Sequence, residues 1–150
     1  MDVRRQLLLA ALLLASTARA LGGWPQCDAP DGTTVSFEIE GCKPPDTCIL
    51  KKGTDVNVTI HFNSKVASKG VQAKAYGVFH EVPLPFPLPQ PDACKSGVAC
   101  PVAPKGSYSY RSSFPVKSAY PSISLHVKWE LIDDDNKNLV CQLIPVEISS

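Results

Sequence analysis

The chain has 150 residues, with 15 Lys and Arg against 14 Asp and Glu and a formal charge of +1. A near-neutral balance with scattered lysines excludes the basic stripe that tracks a nucleic-acid backbone. The length allows one domain with a single substantial core.

The first segment, MDVRRQLLLAALLLASTARA, places Arg4 and Arg5 before an apolar run from Leu7 to Ala15. Ala18-Arg19-Ala20 then supplies a small-x-small cleavage pattern. This reads as a secretory signal peptide over residues 1–20, too short for a membrane span, leaving a secreted domain at 21–150. Its removal takes away three arginines and one aspartate and turns +1 into −1. Free histidine titrates near ~6.5, so protonation of His61, His80 and His126 in an acidic compartment carries the charge to about +2. That is a mild attraction to anionic lipid surfaces.

Six cysteines follow the leader: Cys27, Cys42, Cys48, Cys94, Cys100 and Cys141. An even count in a secreted chain points to disulfides. CKPPDTC and CKSGVAC each enclose five residues in turn-rich sequence, which favours local 42–48 and 94–100 loops. Cys27 is then left for Cys141, tying the two ends of the domain. Zinc is the rival for such thiols, but no paired CxxC or neighbouring histidine accompanies them, and no metal site is expected.

The elements that follow alternate with period two. TTVSFEIEG sets Val35, Phe37 and Ile39 on one face, and TDVNVTIHF sets Val56, Val58, Ile60 and Phe62 against Asp55, Asn57, Thr59 and His61. The sequon Asn57-Val58-Thr59 lies on the polar face of that second strand, so Asn57 is a candidate glycosylation site. A weaker strand is expected within Val71–Val82. VPLPFPLPQPDAC then spaces prolines at every second position from Pro83 to Pro91. Prolines of one parity remove the donors from one edge of an extended chain, while Leu84, Phe86 and Leu88 keep theirs on the other. That describes an edge strand with a blunted outer side.

Ser107–Arg111 is another weak strand, and SISLHVKWELI sets Ile123, Leu125, Val127, Trp129 and Leu131 on one face. IDDDNKNLV lacks the glycine and glutamate of a calcium-binding loop and reads as a polar hairpin turn. A last strand falls within Leu139–Ile148. About seven short strands with no amphipathic helix indicate an all-β sandwich of two sheets.

No nucleophile elbow, HExxH helix or phosphate-cradling glycine loop occurs, and the cysteines are expected to be oxidised, so the chain does not read as an enzyme. Phe86, Phe114, Tyr120 and Trp129 fit two arrangements. They form an ordinary close-packed core, or they line a cavity between splayed sheets. Physical pattern alone favours the close-packed core, because interiors normally pack without voids.

VPLPFPLPQPDACKSGVACP, YSY, FPVKSAYPSISL and WELIDDDNKNLVC, with all six cysteines in order, resemble the ML lipid-recognition domain family over nearly the whole mature chain. The resemblance implies an immunoglobulin-like sandwich whose sheets part to hold a sterol, with the disulfide pairing given above. It also implies a monomer of the lysosome lumen that transfers cholesterol or a related sterol to a membrane transporter. By motif, Phe86, Val116 and Tyr120 line the pocket and its mouth, and Pro115 shapes that mouth. Tyr110 and Trp129 form deeper wall, and Ile39 joins the sterol-binding set. Tyr76 stands before Gly77 where the family often carries a histidine. Two other classes remain: a lipid-sensing relative that presents fatty acids or other small lipids to a receptor, and an adhesion-type sandwich with no ligand.

Overall fold

The computed structural model describes residues 23–150, and the expected signal peptide lies outside the described residues. Eight strands form in chain order: β1 (Gly32–Ile39), β2 (Cys48–Lys51), β3 (Asp55–Ser64), β4 (Gln72–Phe79), β5 (Val82–Phe86), β6 (Ser107–Pro115), β7 (Ser124–Ile132) and β8 (Asn138–Ser149). A 3₁₀ turn at Ala93–Lys95 sits between β5 and β6. The strands make a three-stranded sheet, β1-β3-β6, and a five-stranded sheet, β2-β8-β7-β4-β5. The expected all-β sandwich is therefore present.

The strongest alternations become the strands that hold the layers together. In β3, Val56, Val58, Ile60 and Phe62 are all buried while Asp55 and Asn57 are exposed. β3 is the centre of its sheet, antiparallel to β1 and β6. In β7, Trp129 and Leu131 are fully buried, and β4 and β8 pair with it on either side.

One strand joins the expected set, and one residue changes face. The strand count is eight, because Cys48–Lys51 forms a four-residue strand running parallel to the end of β8. Val35 also does not share a face with Phe37 and Ile39. A bulge between Thr34 and Ser36 leaves Val35 without a cross-strand partner, and it stands 64% exposed. One extra residue in a strand reverses the parity of everything before it.

The proline-rich segment is an edge strand as expected. β5 pairs with β4 alone and closes the five-stranded sheet. The pairing ends at Phe86, before the remaining prolines of the segment.

All three disulfides are formed, joining Cys27 to Cys141, Cys42 to Cys48 and Cys94 to Cys100. The long bridge is reinforced by backbone. Cys27 N donates to Cys141 O at 3.0 Å and Leu143 N to Pro25 O at 2.9 Å. Gln142 Nε2 donates to the carbonyls of Trp24 and Pro25. Buried Trp24 is held further by its indole, which donates to Asp46 O at 2.9 Å.

Candidate functional site

The inner face of the five-stranded sheet is unevenly filled. β7 and the residue before it contribute Ile123, Leu125, Val127 and the large Trp129, and β8 contributes Val146 and Ile148. β4, beside them, presents the small residues Ala73, Ala75 and Gly77 at successive inward positions before Phe79 at its end. Interiors normally pack without voids, so small side chains opposite a separate sheet leave space unless something fills it. Here the space persists as a cavity of about 230 Å³. Gly77 is part of its wall, and a Cβ there would come within 3.0 Å of Leu125 Cδ1. Even one methyl group would press into the lining.

The opposite wall comes from the end of β6 and the segment beyond it: Phe114, Val116, Tyr120 and Pro121. Val116 is 2% exposed and its backbone is fixed on the β2–β3 turn. Its N–H donates to Thr54 O at 2.8 Å and its carbonyl accepts from Gly53 N at 2.7 Å. β5 supplies Leu84, Pro85 and Phe86. The stiff strand keeps this side from collapsing inward, because proline fixes φ and removes most of the backbone freedom.

Aromatic rings follow one another through the space between the sheets. Tyr120 and Phe86 are 5.4 Å apart, Phe86 and Phe114 5.6 Å, and Phe114 and Trp129 5.6 Å. Trp129 then meets Tyr110 at 6.2 Å and Phe37 at 6.4 Å, both edge-on. Separations of this size and tilt suit ring quadrupoles. No charged side chain lines the cavity among the described residues. Burial pushes the Tyr120 phenol up, and it is the leading cause of the same upward shift at Tyr110. The Tyr110 hydroxyl and the Trp129 indole N–H are both buried without a hydrogen-bond partner.

Four of the expected sterol-facing residues, Phe86, Val116, Tyr120 and Trp129, meet around this cavity. Three do not line it. Tyr110 is wholly buried behind Trp129, Ile39 packs into the core at the end of β1, and Pro115 has the opposite parity to Phe114 and Val116. Leu50, Val146 and Ile148 line it without having been singled out as sterol-facing in the sequence. No local signal in the sequence separates them from ordinary inward-facing strand residues.

Such a lining offers no nucleophile, no acid–base pair and no ligand set for a metal. What it can do is remove an apolar molecule from water.

Residues 23–148 match the family model described as the ML domain. The NPC intracellular cholesterol transporter 2 of Mus musculus is 42% identical over 144 residues, covering 96% of this chain and 95% of that protein. Its counterpart in Danio rerio is 39% identical and covers 99% of each. Among solved structures, a Niemann-Pick type C2 protein from the Japanese carpenter ant superposes with a TM-score of 0.80 at 32% identity. That match covers 84% of this chain and 98% of the ant chain.

Proposed function

We propose, from the premise that this chain belongs to the ML domain family, that it is a carrier holding cholesterol or a similar apolar lipid between its two sheets and releasing it to membranes. One observation carries this reading: a cavity walled by hydrocarbon and aromatic side chains, kept open by the small inward residues of β4. The name of its mouse relative, a cholesterol transporter, supports the choice of ligand.

At about 230 Å³ the cavity is smaller than the ~300–1,000 Å³ usual for small-molecule sites. A sterol therefore enters by displacing wall, and the side chains best able to give way are those at the half-buried or exposed side: Leu84, Phe86 and Tyr120. Burying on the order of 400 Å² of apolar ligand surface at ~25 cal/mol/Å² gives roughly 10 kcal/mol gross. Association and reorganisation costs bring this to a micromolar-to-nanomolar affinity, which a carrier can reverse.

Phe79, Val82 and Leu84 stand 40%, 55% and 59% exposed beside the cavity. This apolar rim is the surface to set against a bilayer or a membrane sterol transporter during transfer. Residues 1–20 act as a secretory leader, Asn57 carries a glycan, and the mature protein works as a monomer in the lysosome lumen. The amide Nδ2 of Asn57 is exposed and donates to Glu40 at 2.6 Å, so it is reachable on the polar face of β3. The reading assigns no enzymatic step.

The test is to purify the secreted protein, extract it, identify bound lipid by mass spectrometry, and titrate the stripped protein with a fluorescent sterol. Saturable binding near one sterol per chain is expected. A stripped, folded protein that takes up no sterol would overturn the reading.

A further inference from the structure

Strand alternation gives the five-stranded sheet a second, outer face, and that face carries a cleft of its own. Ala73, Ala75 and Trp129 turn inward, while Lys74, Tyr76, Lys128 and Glu130 turn outward from the same two strands. Cys27, Asp28 and Pro30, on the segment before β1, and Asn136 and Lys137, on the β7–β8 turn, complete the cleft. That segment is held against β8 by the Cys27–Cys141 bridge, by Cys27 N donating to Cys141 O at 3.0 Å, and by Asn138 Nδ2 donating to Asp28 O at 3.2 Å. The volume of the cleft is about 620 Å³, within the ~300–1,000 Å³ usual for small-molecule sites.

Glu130 is the least exposed charged residue of the cleft, at 9%. Its polar contact among the described residues is Lys128 Nζ at 3.8 Å, too long for a hydrogen bond. Lys74 stands opposite Glu130 in the register of β4 and β7, yet the two form no ion pair among the described residues. The Lys128 ammonium also lies over the Tyr76 ring, 5.9 Å from its centroid. A carboxylate this far from water accepts hydrogen bonds or carries an uncompensated desolvation cost. The side from which donors can reach it is the cleft.

We propose that this cleft binds one sugar unit of a glycan, with Glu130 accepting from its hydroxyls and Lys74 and Lys128 donating to them. The charges select the ligand. Lys74, Lys128 and Lys137 share the cleft with Asp28 and Glu130. A phosphate or carboxylate set against Glu130 is repelled by it, and an ammonium meets the lysines. A hydroxyl suits both signs, because its O–H donates to a carboxylate while its oxygen accepts from an ammonium. Pro30, Ile132 and the Tyr76 ring add apolar surface beside these charges, which suits the C–H faces that a pyranose carries next to its hydroxyls. Tyr76 alone belongs to both this lining and that of the apolar cavity. The sugar site therefore does not depend on whether the cavity takes a sterol.

The test follows ¹H–¹⁵N spectra of the mature protein titrated with mannobiose, chitobiose, lactose and, separately, inorganic phosphate. At least one sugar is expected to shift the amides of Lys74, Tyr76, Lys128 and Glu130 saturably, and more tightly than phosphate does. Glu130→Met removes both acceptor oxygens from a side chain of similar length. Its sugar affinity is expected to fall about tenfold or more, as for the loss of a hydrogen bond to a charged group. Lys74→Met, at an exposed position, is expected to weaken binding as well, and it decides the matter if the first variant does not fold. No shift with any of the three sugars overturns the proposal. A phosphate response at these amides as tight as the sugar's overturns it too, as does a sugar affinity unchanged in the folded variants.

Discussion

Val116 is the residue at which pocket and core make opposite demands. It is buried, yet it borders the cavity, and its backbone is fixed by hydrogen bonds to the β2–β3 turn. In Val116→Phe the added ring has space to enter, and that space is the ligand's. The variant is expected to keep the parent's melting temperature and to bind a fluorescent sterol about tenfold more weakly or worse, which is ~1.4 kcal/mol or more. A close-packed site would instead lose about 1–3 kcal/mol of stability from overpacking. Early melting with unchanged sterol affinity would remove Val116 from the pocket. Tyr110 poses a different question, because its buried hydroxyl has no partner and burial raises its pKa. The folded chain keeps that phenol proton longer than the unfolded chain does. Stability is thus lost as pH climbs past the ordinary tyrosine value of ~10. Tyr110→Phe removes an unsatisfied polar group and is expected to be neutral or mildly stabilising near neutrality. It is also expected to soften the alkaline decline in melting temperature.

Among the elements, β5 ties a sequence pattern most directly to a structural consequence. Pro83 and Pro85 lie on the last strand of the five-stranded sheet, which has β4 on one side and no strand on the other. Replacing both prolines with alanine gives the open edge two donors and a more flexible backbone. Light scattering is expected to reveal self-association of that variant at concentrations where the parent stays monodisperse; equal behaviour would mean that the prolines serve stiffness alone. This edge was legible in the sequence, as were β3 and β7, because sustained alternation of apolar and polar residues fits a half-buried strand and little else. β2 was not, since four residues cannot display a period and its parallel pairing with β8 leaves no local signature. The bulge at Val35 was hidden for a related reason: the hydrophobic pattern continues through it while the backbone parity changes. Phe86, Val116, Tyr120 and Trp129 could be assigned to the site from motifs, but its floor could not. Ala73, Ala75 and Gly77 look like a poor strand until the facing sheet turns their small size into volume. Tyr110 and Ile39 lie behind the lining, because inward-pointing residues on neighbouring strands are indistinguishable in sequence whether they border a cavity or lie behind its wall.

For the whole molecule, charge and covalent topology matter more than any single contact. In the mature form proposed above, residues 21–150 carry a formal charge of −1 with neutral histidine, and would carry +2 with all three histidines charged. Sterol transfer to anionic vesicles is therefore expected to be faster at about pH 5 than at about pH 7 in low salt, and to slow as salt is added. Equal rates at both pH values in low salt would count against charge-assisted docking. The Cys27–Cys141 bridge spans a sequence separation of 114, whereas each small loop spans 6. In the loop-entropy model the long bridge is worth about 4–5 kcal/mol against about 2 for each short one. Its placement also decides where a mechanical load would travel. If the two ends of the chain are pulled apart, tension passes from Cys27 across the sulfur bridge to Cys141, and β1 through β7 stay slack. The load falls on the part of β8 beyond Cys141, gripped by β7 on one side and by β2 from Val146 onward, and on the short segment before Cys27, where Trp24 and Pro25 are tied to Gln142, Leu143 and Asp46. Peeling that ribbon would withdraw Val146 and Ile148 from the cavity wall while the bridged remainder of the sandwich stays locked, so a tug on the carboxyl end would open the cavity before the fold unravels.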